Sequence, residues 1–235
     1  MLPPPIPVRL TVIPDHDCPY LPGRVSRTRA FLASSLPAGV YHQFMDANFR
    51  RSGELFYQPI CPGCNKCRQI RIPVERFAPS RSQRRCARRN ADLRVSVGAA
   101  VPTDEKFDLY RRYIARRHAL REAVSRQSFE EFLYTSPVDT LEFTYRDPAG
   151  RLVAVGICDV CELSLSSVYF YFDPGESRRG PGTFGALWEI AWARRNRIPF
   201  YYLGYWVEDC PTMHYKSFFR PCQVLEPDGE WRERA

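Results

Sequence analysis

The sequence predicts an α+β fold, a mixed sheet with flanking helices, entered through a basic N-terminal region that contains clustered cysteines. Three observations predict it. Residues 141–204 hold three strand-like runs, a glycine-rich turn, a helical run and a fourth apolar strand. The first hundred residues mix short strand and helix signals around the run CPGCNKC at 61–67. The formal charge of +8 is concentrated between Lys66 and Arg94, where ten Lys or Arg residues face only Glu75 and Asp92, and the rest of the chain sums to zero.

The opening MLPPPIPVRL, with four prolines, reads as extended chain and not as a signal peptide or transit helix. No run approaches the roughly 18 apolar residues of a membrane span, and the expected location is the cytoplasm. A first helix is expected near residues 28–32. A firmer one follows Pro37, where Val40, Tyr41, Phe44, Met45 and Asn48 recur at helical spacing ahead of Gly53. LFYQPI reads as a strand entering the cysteine loop and IRIPV as one leaving it, with Pro73 marking an edge or a bulge. Residues 80–90 continue as a short basic helix and LRVSV as a strand. Residues 105–120 are helical, with Phe107, Tyr110 and Ile114 on one side and Arg111, Arg112, Arg116 and Arg117 largely on the other. Phe129, Phe132 and Leu133 mark another short helix.

In the second half LEFTY, RLVAVGICDV and SVYFYF are strands, the first two joined by the turn DPAG. A helix is expected over residues 184–195, then the central apolar strand PFYYLG. An acyltransferase core of the acetyltransferase superfamily has this order, which makes the expected fold acetyltransferase-like (GNAT-related). A soft boundary near residues 98–104 divides a cysteine-containing basic region, 1–100, from an acetyltransferase-like domain, 101–235, packed closely against it.

A chain of 235 residues, 44% hydrophobic and 26% charged, can bury a core and is not disordered. The odd count of nine cysteines fits reduced thiols or a metal better than a disulfide scaffold. Cys61, Cys64 and Cys67, with Cys18 as a distant fourth, are candidate thiolate ligands for zinc or an iron–sulfur cluster, although the second CxxC pair of a zinc ribbon is missing. The block SRSQRRCARRN suits a polyanion, while a solvated face of an ordinary basic protein has the same charges. In RRGPG, glycines and a helix start beside Arg178, Arg179 and Gly182 suit a phosphate; the same pattern also makes a tight turn. Tyr205, Glu208 and Asp209 follow the fourth strand, where open sheets place their ligand crevice. His214, Tyr215, Lys216 and Arg220 come next, with Phe218 and Phe219 suited to packing.

The stretches CPYLPGR, FRRSG, CPGCNKC, PSRSQRRCARRNADL, YRRYIARRH, VYFYFDP and YYLGYWVEDCPTMHYKSFFRP together resemble the bacterial leucyl-tRNA-protein transferases, a branch of the arginyl-tRNA-protein transferase family. The resemblance runs from about Cys18 to Trp231. One departure is Gly180-Pro181, where the family usually has a bulkier, more polar pair. The resemblance implies an N-end rule enzyme whose partners are leucyl-tRNA and proteins beginning with Asp or Glu, with no membrane or DNA partner and no required cofactor. Eukaryotic relatives are associated with a cysteine-ligated cluster. Transfer of arginine, a nonenzymatic RNA-binding protein and an acyl-CoA-dependent transferase are the alternatives.

Aminolysis of an activated ester asks mainly for positioning and oxyanion donors. Tyr205 and Lys216 are candidates for orienting the ester or polarising its carbonyl, and His214, like His118, for shuttling a proton. Glu208 and Asp209 are candidate anchors for an α-ammonium, with salt bridges or helix capping as the alternative. Arg76, Arg81, Arg84, Arg85 and Arg88, with Arg50 and Arg51 as outliers, are divided between an acidic acceptor and tRNA phosphates. Phe170, Phe172 or Tyr202 would line the leucine pocket.

Overall fold

The computed structural model describes residues 8–37, 39–118 and 124–234. Most of the proline-rich start, the expected helix end at Leu120 and the His118 side chain lie outside the described residues. The elements are β1 (Thr11–Asp17), β2 (Val25–Leu32), α1 (Val40–Asp46), β3 (Arg50–Ser52), β4 (Leu55–Pro59), β5 (Arg68–Pro73), α2 (Arg81–Arg89), β6 (Arg94–Ala99) and α3 (Asp104–His118). They continue as α4 (Arg126–Leu133), β7 (Thr140–Arg146), β8 (Leu152–Cys161), β9 (Ser164–Phe172), α5 (Pro181–Arg195), β10 (Phe200–Trp206), a 3-10 segment Pro211–Phe218, β11 (Cys222–Leu225) and β12 (Trp231–Arg234).

The strands form two sheets, a small antiparallel one in the order β1-β2-β4-β3 and an eight-stranded one in the order β12-β11-β5-β10-β9-β8-β7-β6. β5 and β6, both before residue 100, belong to the large sheet, so its strands run across the expected sequence boundary. β8 is buried without a break from Leu152 to Asp159 because helices cover both faces of its sheet. On one side Leu109, Ile114, Phe129 and Leu133 of α3 and α4 pack with Leu152, Val155, Ile157 and Tyr171. On the other, Ala186, Ile190 and Ala193 of α5 pack with Phe143, Tyr145, Val153 and Ala154. A third cluster, with Phe31, Tyr41, Met45, Phe56 and Tyr202, joins the small sheet and α1 to the large one. Among the described residues no helix is long and apolar enough to cross a membrane.

Several expectations are corrected. Residues 28–32 are strand, not helix: β2 is held by antiparallel ladders between β1 and β4, with Ala30 and Phe31 buried. Pro73 does not mark an edge, because β5 lies between β11 and β10 and the proline is its last residue. The expected helix over residues 184–195 begins three residues earlier, at Pro181, a residue suited to a first helical turn. β1, β3, β11 and β12 had no counterpart in the sequence reading.

One pairing positions the site. β9 and β10 are the parallel pair of the large sheet, and their ladder covers only Ser164–Ser166 against Phe200–Tyr202. Past Tyr202, β10 bulges before Gly204, which has φ +80°, and the strand continues along β5 to Trp206 opposite Arg68. β9 continues along β8 to Phe172. The two strands therefore part, and a cleft opens between them.

Candidate active site

A cavity of about 440 Å³ occupies this cleft, with Arg50, Tyr57, Ser167, Phe170, Tyr205 and Lys216 in its wall. A second, of about 210 Å³, shares Ser167, Phe170 and Leu203 with it and adds Thr183, Glu189 and Tyr201. Size alone does not select the site: a 720 Å³ cavity beside Leu36, Val138 and Trp192 is larger but has no comparable set of buried cations in its wall.

Arg50, at the start of β3, reaches the floor of the cleft. Its Nη1 donates to Ser166 Oγ at 3.3 Å and its Nη2 to the Ser167 carbonyl at 3.0 Å. A Cβ at position 204 would stand 2.8 Å from the guanidinium carbon, so the approach requires glycine, as does the positive φ. The neighbouring Arg51 is fully buried and meets Asp159, with its Nε donating to Oδ2 at 2.7 Å.

Lys216 is half-buried, and its Nζ donates to the Tyr205 carbonyl at 2.6 Å. Burial first, then the Arg50 guanidinium, pull its ammonium down to about 7. The amine is therefore partly neutral near physiological pH and can accept a proton. The Tyr205 hydroxyl is buried between the carbonyls of Asn48, at 2.9 Å, and Tyr57, at 3.2 Å. Tyr205 thus meets Lys216 through its backbone, and its hydroxyl is engaged in the wall.

Glu189 is fully buried on α5, with Tyr201 Oη donating to its Oε2 at 2.5 Å and no partner for Oε1 among the described residues. Burial raises this carboxyl to about 7. The sequence reading missed it, although a lone acid inside the apolar run ALWEIAWA was the available signal.

The fold brings Tyr205 and Lys216 together in the cleft and places Gly182 on the smaller cavity. It does not bring His214, Glu208 or Asp209 there. His214 is exposed with its Nε2 2.5 Å from the Glu208 carbonyl, Glu208 reaches Arg234 at 3.3 Å, and Asp209 pairs with Lys66. Arg76 is engaged by both carboxylate oxygens of Glu233, at 2.6 and 2.8 Å. Arg81, Arg84, Arg85 and Arg88 stand exposed on α2, outside both cavities.

α2 starts at a capping box between Ser80 and Gln83 and lies against the turn before α5. Asn90 Nδ2 donates to the Arg179 carbonyl at 2.9 Å, and Arg89 reaches the Arg178 carbonyl. The basic helix and the RRGPG turn therefore form one surface. Arg179 is taken by Asp92 and Glu176, each at 2.7 Å, whereas Arg178 is exposed with no acidic partner among the described residues.

The cysteine loop is fastened beside the cleft. Asn48 donates through Nδ2 to the Cys67 carbonyl at 2.9 Å and accepts from the Gln69 amide at 3.0 Å, while its own carbonyl receives the Tyr205 hydroxyl. Burial, then the nearby Cys61, Cys18 and Cys64, push the Cys67 thiol up to about 12. Among the described residues no three His, Cys, Asp or Glu side chains converge as a metal-binding group.

The family model for the arginine-tRNA-protein transferase N terminus matches residues 16–85, and that for its C terminus matches residues 105–226. The aspartate/glutamate leucyltransferase of Pseudomonas putida (strain W619) is 43% identical over 214 residues, covering 89% of this chain and 90% of that protein. Its counterpart in Stenotrophomonas maltophilia (strain K279a) is 42% identical over 227 residues, covering 93% and 90%. Among solved structures, the C-terminal DUF2156 domain of an Agrobacterium fabrum protein assigned as a lysylphosphatidylglycerol synthetase superposes with a TM-score of 0.53. It is 14% identical, the match covers 87% of this chain and 65% of that one, and the likeness is one of fold. On the two family models and relatives that span nearly its whole length, the chain belongs to the arginine-tRNA-protein transferase family.

Proposed function

We propose that this protein transfers leucine from leucyl-tRNA to the N-terminal Asp or Glu of acceptor proteins, and that the transfer takes place in the cleft between β9 and β10. The observation that carries the reading is the 43% identity, over 89% of the chain, to an aspartate/glutamate leucyltransferase. The parting parallel strands, with α5 connecting them, support an acetyltransferase-like (GNAT-related) core. Charged tRNA places the reaction in the cytoplasm.

The acceptor nitrogen attacks the aminoacyl ester carbonyl, a C–N bond forms, the bond to the ribose oxygen breaks, and one proton passes from nitrogen to that oxygen. The acceptor amine, with an ordinary pKa of about 7.7–8, is already partly neutral near pH 7. Neutral Lys216 takes the nitrogen's proton and returns it to the leaving ribose oxygen. Phe170 and Phe172 face the smaller cavity and suit the leucine side chain. Tyr202 is turned away, with its hydroxyl donating to Asp46 at 2.6 Å. The exposed arginines of α2, Arg178 and the first turn of α5 suit the phosphates of the tRNA acceptor end. Aminolysis has no redox step and calls on no cofactor.

The test is transfer of labelled amino acid from leucyl-tRNA, arginyl-tRNA or acyl-CoA to peptides beginning with Asp, Glu, Lys or Ala. Leucine on the Asp and Glu peptides alone is expected. Arginine transfer would reassign the donor, and tRNA binding without transfer would leave an RNA-binding protein.

A further inference from the structure

FRRSG buries two adjacent guanidinium groups, and among the described residues one carboxylate forms an ion pair with them. Asp159 is taken by Arg51, with both side chains fully buried. Arg50 is also buried, but its nitrogens are met by a serine hydroxyl and a backbone carbonyl, and among the described residues no carboxylate forms an ion pair with it. A buried charge without a counter-ion is unfavourable, and this one lies in the wall of the reaction cavity. Phenol rings of Tyr20, Tyr57 and Tyr205 and the second cation, Lys216, share that wall. The cavity therefore has an excess of positive charge at its floor.

Resting on the function proposed above, we infer that Arg50 is the specificity residue for the acceptor: the side-chain carboxylate of an N-terminal Asp or Glu docks on its guanidinium at the floor of the β9–β10 cleft. A guanidinium fork matches a carboxylate in two parallel hydrogen bonds. Burial is what makes the match selective. Gln has nearly the shape of Glu, so shape does not separate them, but a neutral amide leaves the Arg50 charge unanswered in a desolvated wall. The exposed arginines of α2 cannot discriminate in this way, since water and salt answer their charge whatever the acceptor is. Gly204 belongs to the device, because any side chain there would displace the guanidinium.

The experiment measures leucine transfer from saturating leucyl-tRNA to peptides that begin with Glu, Gln, Asp or Asn. The proteins are the unaltered chain, Arg50→Gln, Arg50→Lys and Arg85→Gln, each checked by circular dichroism and by affinity for leucyl-tRNA. For Arg50→Gln the expected result is a loss of about 100-fold in kcat/KM on the Glu peptide. The Glu-to-Gln preference should fall toward one, with leucyl-tRNA affinity unchanged. Arg50→Lys should recover part of the preference, and Arg85→Gln should leave it as it was. A folded Arg50→Gln or Arg50→Lys protein with the unaltered preference would overturn the assignment, as would collapse of the preference in Arg85→Gln. If Arg50→Gln does not hold its fold, Arg50→Lys decides alone. Absence of transfer by the unaltered chain would overturn the proposed function, and this assignment with it.

Discussion

The molecule has two cationic regions, and they differ in what answers their charge. On α2, Arg81, Arg84, Arg85 and Arg88 stand in solvent, where water and counter-ions screen them. In the cleft, Arg50 and Lys216 are two cations in a wall of aromatic rings and backbone, and Arg50 lowers the proton affinity of Lys216. The first region has more charge, while each charge in the second is worth more. Many screened cations suit a long polyanion held at several phosphates, and a few desolvated ones suit one small anion and one proton transfer. On the function proposed above, charge density along the sequence points to a surface suited to a nucleic acid and says little about where the chemistry would take place.

The sharpest way to break this comparison is Lys216→Met. It should lower kcat by about 100-fold or more while leaving leucyl-tRNA affinity unchanged, as measured by single-turnover transfer beside a binding assay. The pH profile separates a chemical role from packing. Transfer by the unaltered chain should rise with pH through about 7 as Lys216 loses its proton, and Lys216→Met should keep only the rise due to the acceptor amine near 8. The same residue has a signature in stability. Its folded-state pKa lies below the ordinary 10.5, so between about 7 and 10.5 the unfolded chain binds more protons and stability rises with pH. Lys216→Met should therefore raise the unfolding midpoint more at pH 6 than at pH 9.

Gly204→Ala should act next most strongly. It combines a strained φ with a Cβ 2.8 Å from the Arg50 guanidinium, and should cost about 1–3 kcal/mol in denaturant unfolding. Its loss of transfer to the Glu peptide should exceed its loss to the Gln peptide. On the other side of the comparison, Arg85→Ala and Arg88→Ala should each raise the KM for leucyl-tRNA a few-fold. Each should also reduce the slope of log affinity against log salt by about 0.7–1, with kcat at saturation unchanged. One further effect is expected on stability. Glu189 sits above the ordinary 4.5, at about 7, so between those values the folded chain binds more protons and stability falls as pH rises. Glu189→Gln should be stabilising by roughly 1–3 kcal/mol more at pH 8 than at pH 4, read from urea midpoints.

Local pattern made much of the fold legible. The three strands of the second half, the following helix and the central β10 each have a period and a turn that need no distant partner to be read. β2 was misread because five residues of VSRTRAFL fit either period, and only the pairing with β1 and β4 decides between them. β11 and β12 are four-residue strands completed by the edge of a sheet built elsewhere, which leaves little signal in their own residues. At the site, Lys216 and Tyr205 could be named because they follow the strand that ends at the crevice. The engaged hydroxyl of Tyr205 could not be foreseen, since its partners Asn48 and Tyr57 lie about 150 residues away in the chain. For the same reason Arg50 and Arg51 look identical in FRRSG and become different only when Asp159 arrives beside one of them.

The most direct test of the division between the two regions is single-turnover transfer of leucine to a Glu-initiated peptide at saturating leucyl-tRNA. It compares the unaltered chain, Lys216→Met and the double variant Arg85→Ala/Arg88→Ala. The account predicts that the α2 double variant reaches the unaltered rate once the donor is saturating, while Lys216→Met stays about 100-fold slower at every donor concentration. An α2 variant that remains slow at saturation, or a Lys216→Met protein that transfers at the unaltered rate, would contradict it.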